Sequence, residues 1–420
     1  MCGKKILGCV ADDFTGASDA ASFLAAGGSN VILLSGIPAS EYVLPSHITA
    51  AVIALKSRTE DRKTAVADSL KAVQWLKSQG AEQIYIKYCS TFDSSPEGNI
   101  GPVCDGVMEL LNERYTLLCP SLTVNKRTVE KGHLYVAGVP LHKTHMAYHP
   151  LTPMWDSDIS ILMKEQSKYP CYILEREVMK KGRAVVENYI SETAGVGEHF
   201  YLIPDFTNED DAELISSLFG NNQLLTGGSG LMEYLAASYG SKAEAEDIAI
   251  KEGRALIVVG SCSAATEKQV QYYKNQGEYS LMLEPDKLLS GAQSLDQILD
   301  ILENCKEKVI MLYAAPIAEN GSKKADEKAA AILEKTMALA GRKAVTSGYT
   351  KVIAAGGETS GAVLKKLGFS QYRISKSVAP GVPILMPEEA PGLGIVLKSG
   401  NFGQEDFFIK ALHMLGGNYE

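Results

Sequence analysis

Residues 351–369 read KVIAAGGETSGAVLKKLGF, and this stretch indicates how the chain is built. A short apolar run leads into Gly356 and Gly357, after which apolar residues recur with helical spacing. The pattern predicts a buried strand, a tight glycine turn and a helix whose first turn is capped by Thr359 and Ser360. A helix N-terminus that follows a strand in this way is a typical binding site for an anion such as a phosphate.

Two further turns of this kind lie in the C-terminal part of the sequence. VVGSCSAATEKQ places Ser261 and Ser263 between an apolar run and a helical pattern, and LKSGNFGQEDFF contains Gly400 and Gly403 on either side of Asn401. Hydroxyls and backbone N–H groups at helix starts bind anions, so three such turns favour a nucleotide. The chain contains neither G-x-x-x-x-G-K-[ST] nor G-x-G-x-x-G, which indicates a phosphate site of another design.

Short apolar runs alternate with helical patterns along most of the chain, beginning with KKILGCVAD at the N-terminus. This alternation is typical of parallel sheets covered by helices. A polar and charged segment, residues 240–254, interrupts the pattern. We therefore predict an α/β protein of two lobes, residues 1–240 and 254–420. Each lobe is expected to be a mostly parallel sheet flanked by helices, with the active site in the cleft between them.

The first apolar run ends in VADDFTGASD, where Asp12 and Asp13 follow the strand directly and Asp19 lies further along the helical pattern. One interpretation is a helix N-cap accompanied by solvated acids. The other is a carboxylate that accepts the proton of an attacking hydroxyl or binds a polyol. The residues alone leave both interpretations open.

Basic and hydroxyl side chains follow two other predicted strands. LKSRT contains Lys56 and Arg58, and IKYCSTFDS contains Lys87, Ser90 and Thr91. Because the carboxyl ends of parallel strands meet at one edge of a sheet, we expect these groups near the acids of the first strand. A lysine or arginine there could pair with a small carboxylate, the arginine bidentately. Together with the glycine turns, this predicts phosphoryl transfer to a small acid, a reaction that usually requires Mg²⁺.

The composition limits the partners of the chain. A formal charge of -9 over 420 residues argues against general nucleic-acid binding, which needs a basic face. The N-terminus, MCGKKILGCVADD, has too few apolar residues for a signal peptide or a membrane span, so we expect a cytoplasmic protein. Eight cysteines without a C-x-x-C pair are expected to be thiols. Neither a monomer nor a homo-oligomer is favoured by the pattern.

One histidine-rich segment, HKTHMAYH, raises the question of a metal site. His142, His145 and His149 would share one face of a helix, which suits a metal ligand set. Pro140 and Pro150 bracket the segment, however, and it contains no carboxylate. We therefore predict no metal ligands here and interpret the segment as a polar loop, near the substrate or on the surface.

Several of these segments resemble those of the four-carbon acid sugar kinase family, and the resemblance runs along nearly the whole chain. They are ADDFTGASDAASFL, LKSR, KYCSTFDS, GSCS, AGGETSG, APGVP and KSGNFG. YCSTFDS, GNIGPV, HPLTPM and the EDFF after KSGNFG are most similar to the branch that acts on 3-oxo-tetronates. The resemblance implies ATP-dependent phosphorylation of the terminal hydroxyl of such an acid. Phosphorylation of D-threonate or D-erythronate is the alternative within the family.

The resemblance also implies that the N-terminal lobe binds the sugar acid and that the C-terminal lobe binds ATP. The expected substrate-binding residues are Asp13, Arg58, Lys87, Ser90 and Thr91. The expected ATP-binding residues, with Ser263 added from its turn, are Ser261, Ser263, Gly356, Gly357, Glu358, Thr359 and Gly403. Asp12 or Asp13 is the expected base. An acid is unusual beside phosphate, so Glu358 is expected at the ribose, at Mg²⁺ through water, or at a structural lysine.

Two other classes of function are compatible with parts of the pattern. A non-catalytic sensor that binds a sugar acid would explain the charged N-terminal strand ends, but it would leave the glycine turns without a role. A dehydrogenase is disfavoured because the dinucleotide-binding fingerprint is missing.

Overall fold

The computed structural model describes residues 5–148, 152–193, 199–239, 249–315, 323–400 and 402–416. The chain forms two compact units, Met1–Glu244 (unit 1) and Ala245–Glu420 (unit 2). In the described ranges, no helix is long and apolar enough to cross a membrane. The seven cysteines in these ranges are all free thiols, as the sequence predicts.

Unit 1 is built on parallel strands, β1 (Ile6–Ala11), β2 (Val31–Ser35), β3 (Ala50–Ala54), β4 (Ala81–Lys87) and β11 (Leu224–Gly227). They pair in the order β11-β4-β1-β3-β2. All residues of β1 and β3 are buried, because helices cover the sheet. The carboxyl ends of β1, β3 and β4 therefore open at the same edge of the sheet.

Two smaller sheets complete unit 1. One is parallel, in the order β5-β10-β9, and contains β5 (Tyr115–Leu117), β9 (Cys171–Leu174) and β10 (Phe200–Pro204). The other is antiparallel and contains β6 (Arg127–Glu130), β7 (His133–Val136) and β8 (Val139–Pro140). The helices of the unit are α1 (Phe14–Ala26), α2 (Arg62–Ser78), α3 (Ile100–Leu110), α4 (Ile159–Lys164), α5 (Arg176–Met179), α6 (Arg183–Thr193), α7 (Glu209–Phe219) and α8 (Met232–Ala236).

The described strands of unit 2 are β12 (Ala255–Val259), β13 (Ser280–Leu283), β14 (Val309–Ala314), β15 (Lys351–Ala355), β16 (Gln371–Ala379), β17 (Val382–Pro387) and β18 (Gly394–Lys398). Within the unit they pair in the order β16-β17-β18-β15-β12-β14-β13. The five strands from β18 to β13 are parallel, whereas β16 and β17 form an antiparallel hairpin at one side. The helices are α9 (Ala264–Asn275), α10 (Pro285–Ser290), α11 (Leu295–Asn304), α12 (Lys323–Thr346), α13 (Gly357–Leu367) and α14 (Phe407–Met414).

The prediction of mostly parallel sheets flanked by helices is confirmed, but one local expectation is wrong. Thr359 and Ser360 do not cap α13, because the helix already begins at Gly357 and its N-cap, Gly356, makes no side-chain hydrogen bond. Gly356 has a φ of 121°, which glycine adopts readily and other residues rarely do. The helix can therefore begin at Gly357, before the predicted capping residues Thr359 and Ser360. Both hydroxyl residues are buried in the first turn, where the Ser360 hydroxyl donates to the carbonyl of Ala354.

Candidate functional site

Acidic and basic side chains meet at the carboxyl ends of β1, β3 and β4, as the sequence predicts. Backbone hydrogen bonds fix the segments that follow these strands. The Asp12 amide donates to the carbonyl of Lys87 at 3.1 Å, and the Arg58 amide donates to the carbonyl of Asp12 at 3.2 Å. Arg58 and Lys87, which are remote in sequence from Asp12 and Asp13, therefore lie beside these two acids in unit 1.

Arg58 is the centre of this cluster. Its Nε and Nη2 donate to the two carboxylate oxygens of Asp12 at 2.8 and 2.9 Å. Its Nη1 lies 3.0 Å from Oδ2 of Asp13 and 4.0 Å from Oδ2 of Asp93. The bidentate edge expected to pair with a substrate carboxylate is thus already occupied by Asp12. Substrate contact by Arg58 stays a prediction.

The two adjacent acids differ in exposure and in local role. Asp13 is the N-cap of α1, and its Oδ1 accepts a hydrogen bond from the Gly16 amide at 2.6 Å. Its side chain is 26% exposed, compared with 13% for Asp12. Burial raises the pKa of the Asp12 carboxyl, and the guanidinium of Arg58 opposes that shift. Asp13 is therefore the more accessible carboxylate of the pair.

Lys87 lies deeper and is paired with Asp19. Its Nζ lies 3.8 Å from Oδ2 of Asp19 and donates to the carbonyl of Tyr88 at 2.9 Å. Burial alone would lower the pKa of Lys87, but Asp19 and Asp12 raise it above its ordinary value, so the ammonium form is retained. The Ser229 hydroxyl also donates to Asp19. Ser229 comes from the segment after β11, and no local pattern in the sequence points to it.

The turn after β4 carries the remaining predicted substrate residues. The Thr91 hydroxyl donates to Oδ1 of Asp93 at 2.6 Å, and Ser90 is half-buried beside it. Phe92, which lies between Thr91 and Asp93, has a φ of 53°. Bulky residues rarely adopt this left-handed state, and such strained residues cluster at functional turns. A small pocket of about 20 Å³, roughly one water molecule, is lined in part by Asp12, Arg58, Lys87 and Asp93.

In unit 2, the predicted nucleotide residues lie at the carboxyl ends of β12, β15 and β18. The N-terminus of α13 follows β15, and a Cβ at Gly356 would lie 3.1 Å from the backbone nitrogen of Ser261. Gly357 and Glu358 are exposed in the first turn of α13, whereas Thr359 is buried. The structure thus brings the first two glycine turns of the sequence into contact through Gly356 and Ser261.

The third glycine turn is attached to α9 by side chains. Ser263 is the N-cap of α9, and its hydroxyl donates to the carbonyl of Gly400 at 2.7 Å, as does that of Thr266. Gln269 donates to the carbonyls of residues 402, 403 and 404. Gly403 itself has a φ of 82°. Asn401 lies outside the described residues.

Lys398, at the end of β18, completes this arrangement. Its Nζ donates to the Thr266 hydroxyl at 3.0 Å and to the carbonyls of Ser399 and Gly400 at 3.0 and 2.9 Å. Its side chain is fully buried, and burial lowers the pKa of Lys398 to about 7. Lys398, Thr266 and Gln269 were not predicted as functional residues, because their partners are backbone carbonyls that leave no sequence motif.

A second pocket adjoins Ser261 and has a volume of about 140 Å³. It is lined by residues of β12, α9 and β14, including Val259, Ser261, Glu267, Lys274, Tyr313 and Ala314. Lys274 Nζ contacts the Tyr313 hydroxyl at 3.2 Å along one wall. The turns at the strand ends of unit 2 thus border a cavity that can admit part of a small ligand.

No group of three or more His, Cys, Asp or Glu side chains within the described part of the chain has the geometry of a metal site. His142 and His145 lie in short 3-10 turns, Leu141–Lys143 and His145–Tyr148, so they do not share the face of one α-helix. His149 lies outside the described residues. The helical spacing considered in the sequence analysis therefore does not form at the first two histidines.

Two family models match the chain. One, described as a sugar-binding N-terminal domain, matches residues 7–235, and the other, described as a nucleotide-binding C-terminal domain, matches residues 256–408. A protein of Haemophilus influenzae named 3-oxo-tetronate kinase is 37% identical over 96% of this chain and 98% of its own. A protein of the same name from Pectobacterium atrosepticum is 38% identical over 96% of this chain and 98% of its own.

Solved structures agree with these matches. A crystal structure of a Salmonella typhimurium LT2 protein is 35% identical, covers 97% of this chain and 98% of its own, and has a TM-score of 0.84. The crystal structure of a Haemophilus influenzae protein is 36% identical, covers 97% of this chain and 100% of its own, and has a TM-score of 0.75.

Proposed function

The chain belongs to the four-carbon acid sugar kinase family and is an ATP-dependent sugar-acid kinase, and we propose that it phosphorylates the terminal hydroxyl of a 3-oxo-tetronate. The observation that carries the proposal is the cluster of Asp12, Asp13, Arg58 and Lys87 at the strand ends of unit 1. Relatives named 3-oxo-tetronate kinase match the chain over nearly its full length, which favours this acid over D-threonate and D-erythronate.

We propose that unit 1, including residues 1–240, binds the sugar acid, with Asp13 as the base. Asp13 would accept the proton of the terminal hydroxyl as its oxygen attacks the γ-phosphorus and the bond to the ADP oxygen breaks. Arg58 would hold this carboxylate in position, since its Nη1 lies 3.0 Å from Oδ2 of Asp13. Asp12 would hold Arg58 in place rather than accept a proton, because its two oxygens accept from the guanidinium and its side chain is only 13% exposed, against 26% for Asp13.

For unit 2, including residues 254–420, we propose that the start of α13 and the turns at Ser261 and Gly403 bind the phosphates of ATP. The N-cap of α13 makes no side-chain hydrogen bond, so N–H groups of its first turn are available to an anion. Gly356 packs on Ser261 so that a Cβ would lie only 3.1 Å from the Ser261 nitrogen, and a glycine is expected where backbone must approach a ligand. The cavity beside Ser261 would take part of the nucleoside.

A magnesium ion fits this arrangement. Mg²⁺ is commonly held by phosphate oxygens, water and one or two carboxylates, and the exposed carboxylate of Glu358 lies on the first turn of α13. Glu358 would therefore hold the ion through water, with a ribose hydroxyl as the alternative partner. When bound, Mg²⁺ would neutralise charge on the phosphates. We further propose a cytoplasmic location, where free thiols such as the seven described here persist.

A coupled assay of ADP formation with Mg²⁺ tests the proposal. The panel holds 3-dehydro-erythronate, D-threonate and D-erythronate, with a control that lacks any acid. We expect kcat/KM for the 3-oxo acid to exceed the other two by at least about tenfold. The carbonyl at carbon 3 only accepts hydrogen bonds, whereas the hydroxyl of the tetronates also donates, so a site matched to one leaves polar groups unpaired with the other. Faster turnover of a plain tetronate would overturn the assignment of the substrate while keeping the reaction.

A further inference from the structure

The substrate proposed above is an anion, yet the site is crowded with acids. Arg58 contacts Asp12 and Asp13, and Lys87 is paired with Asp19. Each of these cations is therefore matched by at least one carboxylate of the protein itself. A sugar acid whose carboxylate entered this cluster would meet mostly negative charge, unless another cation faces it.

Arg127, the first residue of β6, lies beside this cluster. The β6 hairpin is joined to the rest of unit 1 by two backbone hydrogen bonds between Val129 and Phe206, at 2.9 and 2.8 Å. Phe206 packs closely on Gly230, next to the Ser229 whose hydroxyl reaches Asp19. This chain of contacts connects the start of β6 with the carboxyl end of β11 and with Asp19.

The guanidinium of Arg127 is in an unusual state for an arginine. Its Nη1 donates to the carbonyl of Asn125 at 2.6 Å, while its buried Nε makes no hydrogen bond within the described structure. The side-chain nitrogen Nδ2 of Asn125 is also buried there without a hydrogen bond. Within the described residues, no carboxylate lies within ion-pair distance of Arg127, in contrast to Arg58.

Leaving such donors unpaired is costly, because a buried N–H without an acceptor loses its hydration. Burial lowers the pKa of Arg127, whereas Cys89, Asp93 and Asp19 act in the opposite direction, which places the guanidinium within the field of the acidic cluster. As a residue, Arg127 is half-buried, so part of its side chain is open to solvent. One unpaired donor on this cation, with a second on the side chain of Asn125, is suited to an acceptor that carries negative charge.

We propose that Arg127 binds the carboxylate of the sugar acid, with the amide of Asn125 as a second donor. The planar guanidinium of an arginine matches the geometry of a carboxylate, and an oxygen of the substrate carboxylate would be the acceptor that Nε lacks. Arg127 would thereby select acids over neutral ketoses of the same length. This inference rests on the proposed function, since it assumes a sugar-acid substrate for unit 1.

The test compares two substrates in the Arg127→Met and Arg127→Lys variants. One is the 3-oxo-tetronate, and the other is the tetrulose in which a CH₂OH group replaces its carboxylate. For Arg127→Met, we expect kcat/KM for the acid to fall about 10- to 100-fold, the range for a lost charge-assisted hydrogen bond. The kcat/KM for the tetrulose and the KM for ATP should each change less than about twofold. Arg127→Lys should recover part of the loss, because it keeps the charge without the fork.

Lys126→Met is the matched control, because Lys126 is the exposed neighbour of Arg127 in the chain. This variant should keep the wild-type kcat/KM for both substrates. An equal loss for the acid and the tetrulose, or no loss for either, would overturn the assignment of Arg127. Calorimetric titration of the acid into wild type and variants, without ATP, keeps the test independent of turnover. If wild type binds the acid but turns over none, the proposed reaction fails while the role of Arg127 is still decided.

Discussion

At the scale of single residues, Asp13 is the N-cap of α1, one of the two interpretations of the sequence, and its role as a base stays a prediction. Its Oδ1 caps α1 through Gly16, while its Oδ2 contacts Arg58. A carboxylate has several acceptor positions, so capping a helix does not prevent it from serving a ligand. The cap also orients the side chain, which is what a base proposed for proton transfer needs.

Lys398 shows how the burial of one ammonium group can make the stability of the protein depend on pH. Its pKa falls to about 7 in the folded protein, against an ordinary value of 10.5, although three oxygen acceptors favour its charged form. Above about pH 7 the folded protein has released this proton and the unfolded chain still holds it. Because the unfolded state then binds more protons, this group makes the protein more stable as the pH rises from about 7 to about 10.5.

We therefore expect the Lys398→Met variant to lose this pH dependence. The free energy of unfolding of wild type should rise relative to that of the variant by at most about 1.4 kcal/mol per pH unit above neutrality. Chemical unfolding of both proteins at several pH values between 7 and 9 measures the difference. Lys410→Met, at an exposed position of α14, is the control and should follow wild type. Parallel curves for wild type and Lys398→Met would contradict the expectation.

At the scale of elements, the start of α13 depends on one glycine. Ser263 caps α9 with its side chain and Asp13 caps α1 in the same way, but α13 has Gly356 in that position. A side-chain cap would occupy an N–H group of the first turn, whereas glycine leaves it for a ligand. The geometry of Gly356, with its φ of 121°, is thus tied to the proposed role of this helix.

Gly356→Ala should lower both stability and nucleotide affinity. The new Cβ would lie 3.1 Å from the Ser261 nitrogen in a backbone state that only glycine adopts easily, which costs about 1–3 kcal/mol. Thermal unfolding and calorimetric titration of ATP with Mg²⁺ measure the two effects.

The matched control for this glycine is Gly361→Ala, in the same helix. A Cβ at Gly361 meets no atom within 4 Å, so this change should stabilise α13 by about 0.5–1 kcal/mol and leave ATP binding intact. Wild-type ATP affinity in Gly356→Ala would refute the proposed phosphate site at the start of α13.

At the scale of the whole molecule, the two proposed ligand sites belong to different compact units. The acidic and basic cluster lies in Met1–Glu244, and the glycine turns lie in Ala245–Glu420. Each site is built from side chains and backbone of its own unit. Changes at one ligand site should therefore act on the chemistry without removing the other ligand.

The Asp13→Asn variant provides the sharpest form of this expectation. Asparagine is also a good N-cap, so α1 should fold normally, while the proposed base is lost. We expect kcat to fall at least about 100-fold, the lower range for general base catalysis, with the Kd for ATP within about twofold of wild type. Turnover and calorimetry measure the two quantities. Near-normal kcat would exclude Asp13 as the base.

The sequence by itself determined the class of fold and the strand ends at which we propose the sugar-acid site. Parallel strands buried on both faces need continuous apolar runs, and Asp12, Arg58 and Lys87 lie at or shortly after the ends of such runs. The resemblance of whole segments also led to the family. These features are local in the chain, so spacing and residue type were sufficient to find them.

The tertiary structure alone decided which charges pair and which do not. It matched Arg58 to Asp12, brought Ser229 to Asp19, and left Arg127 without a carboxylate within the described residues. It likewise showed that α13 begins at Gly357 and that Lys398 donates hydrogen bonds to backbone carbonyls. Pairing energies depend on distance and burial between residues remote in sequence, and neither quantity is encoded in local spacing.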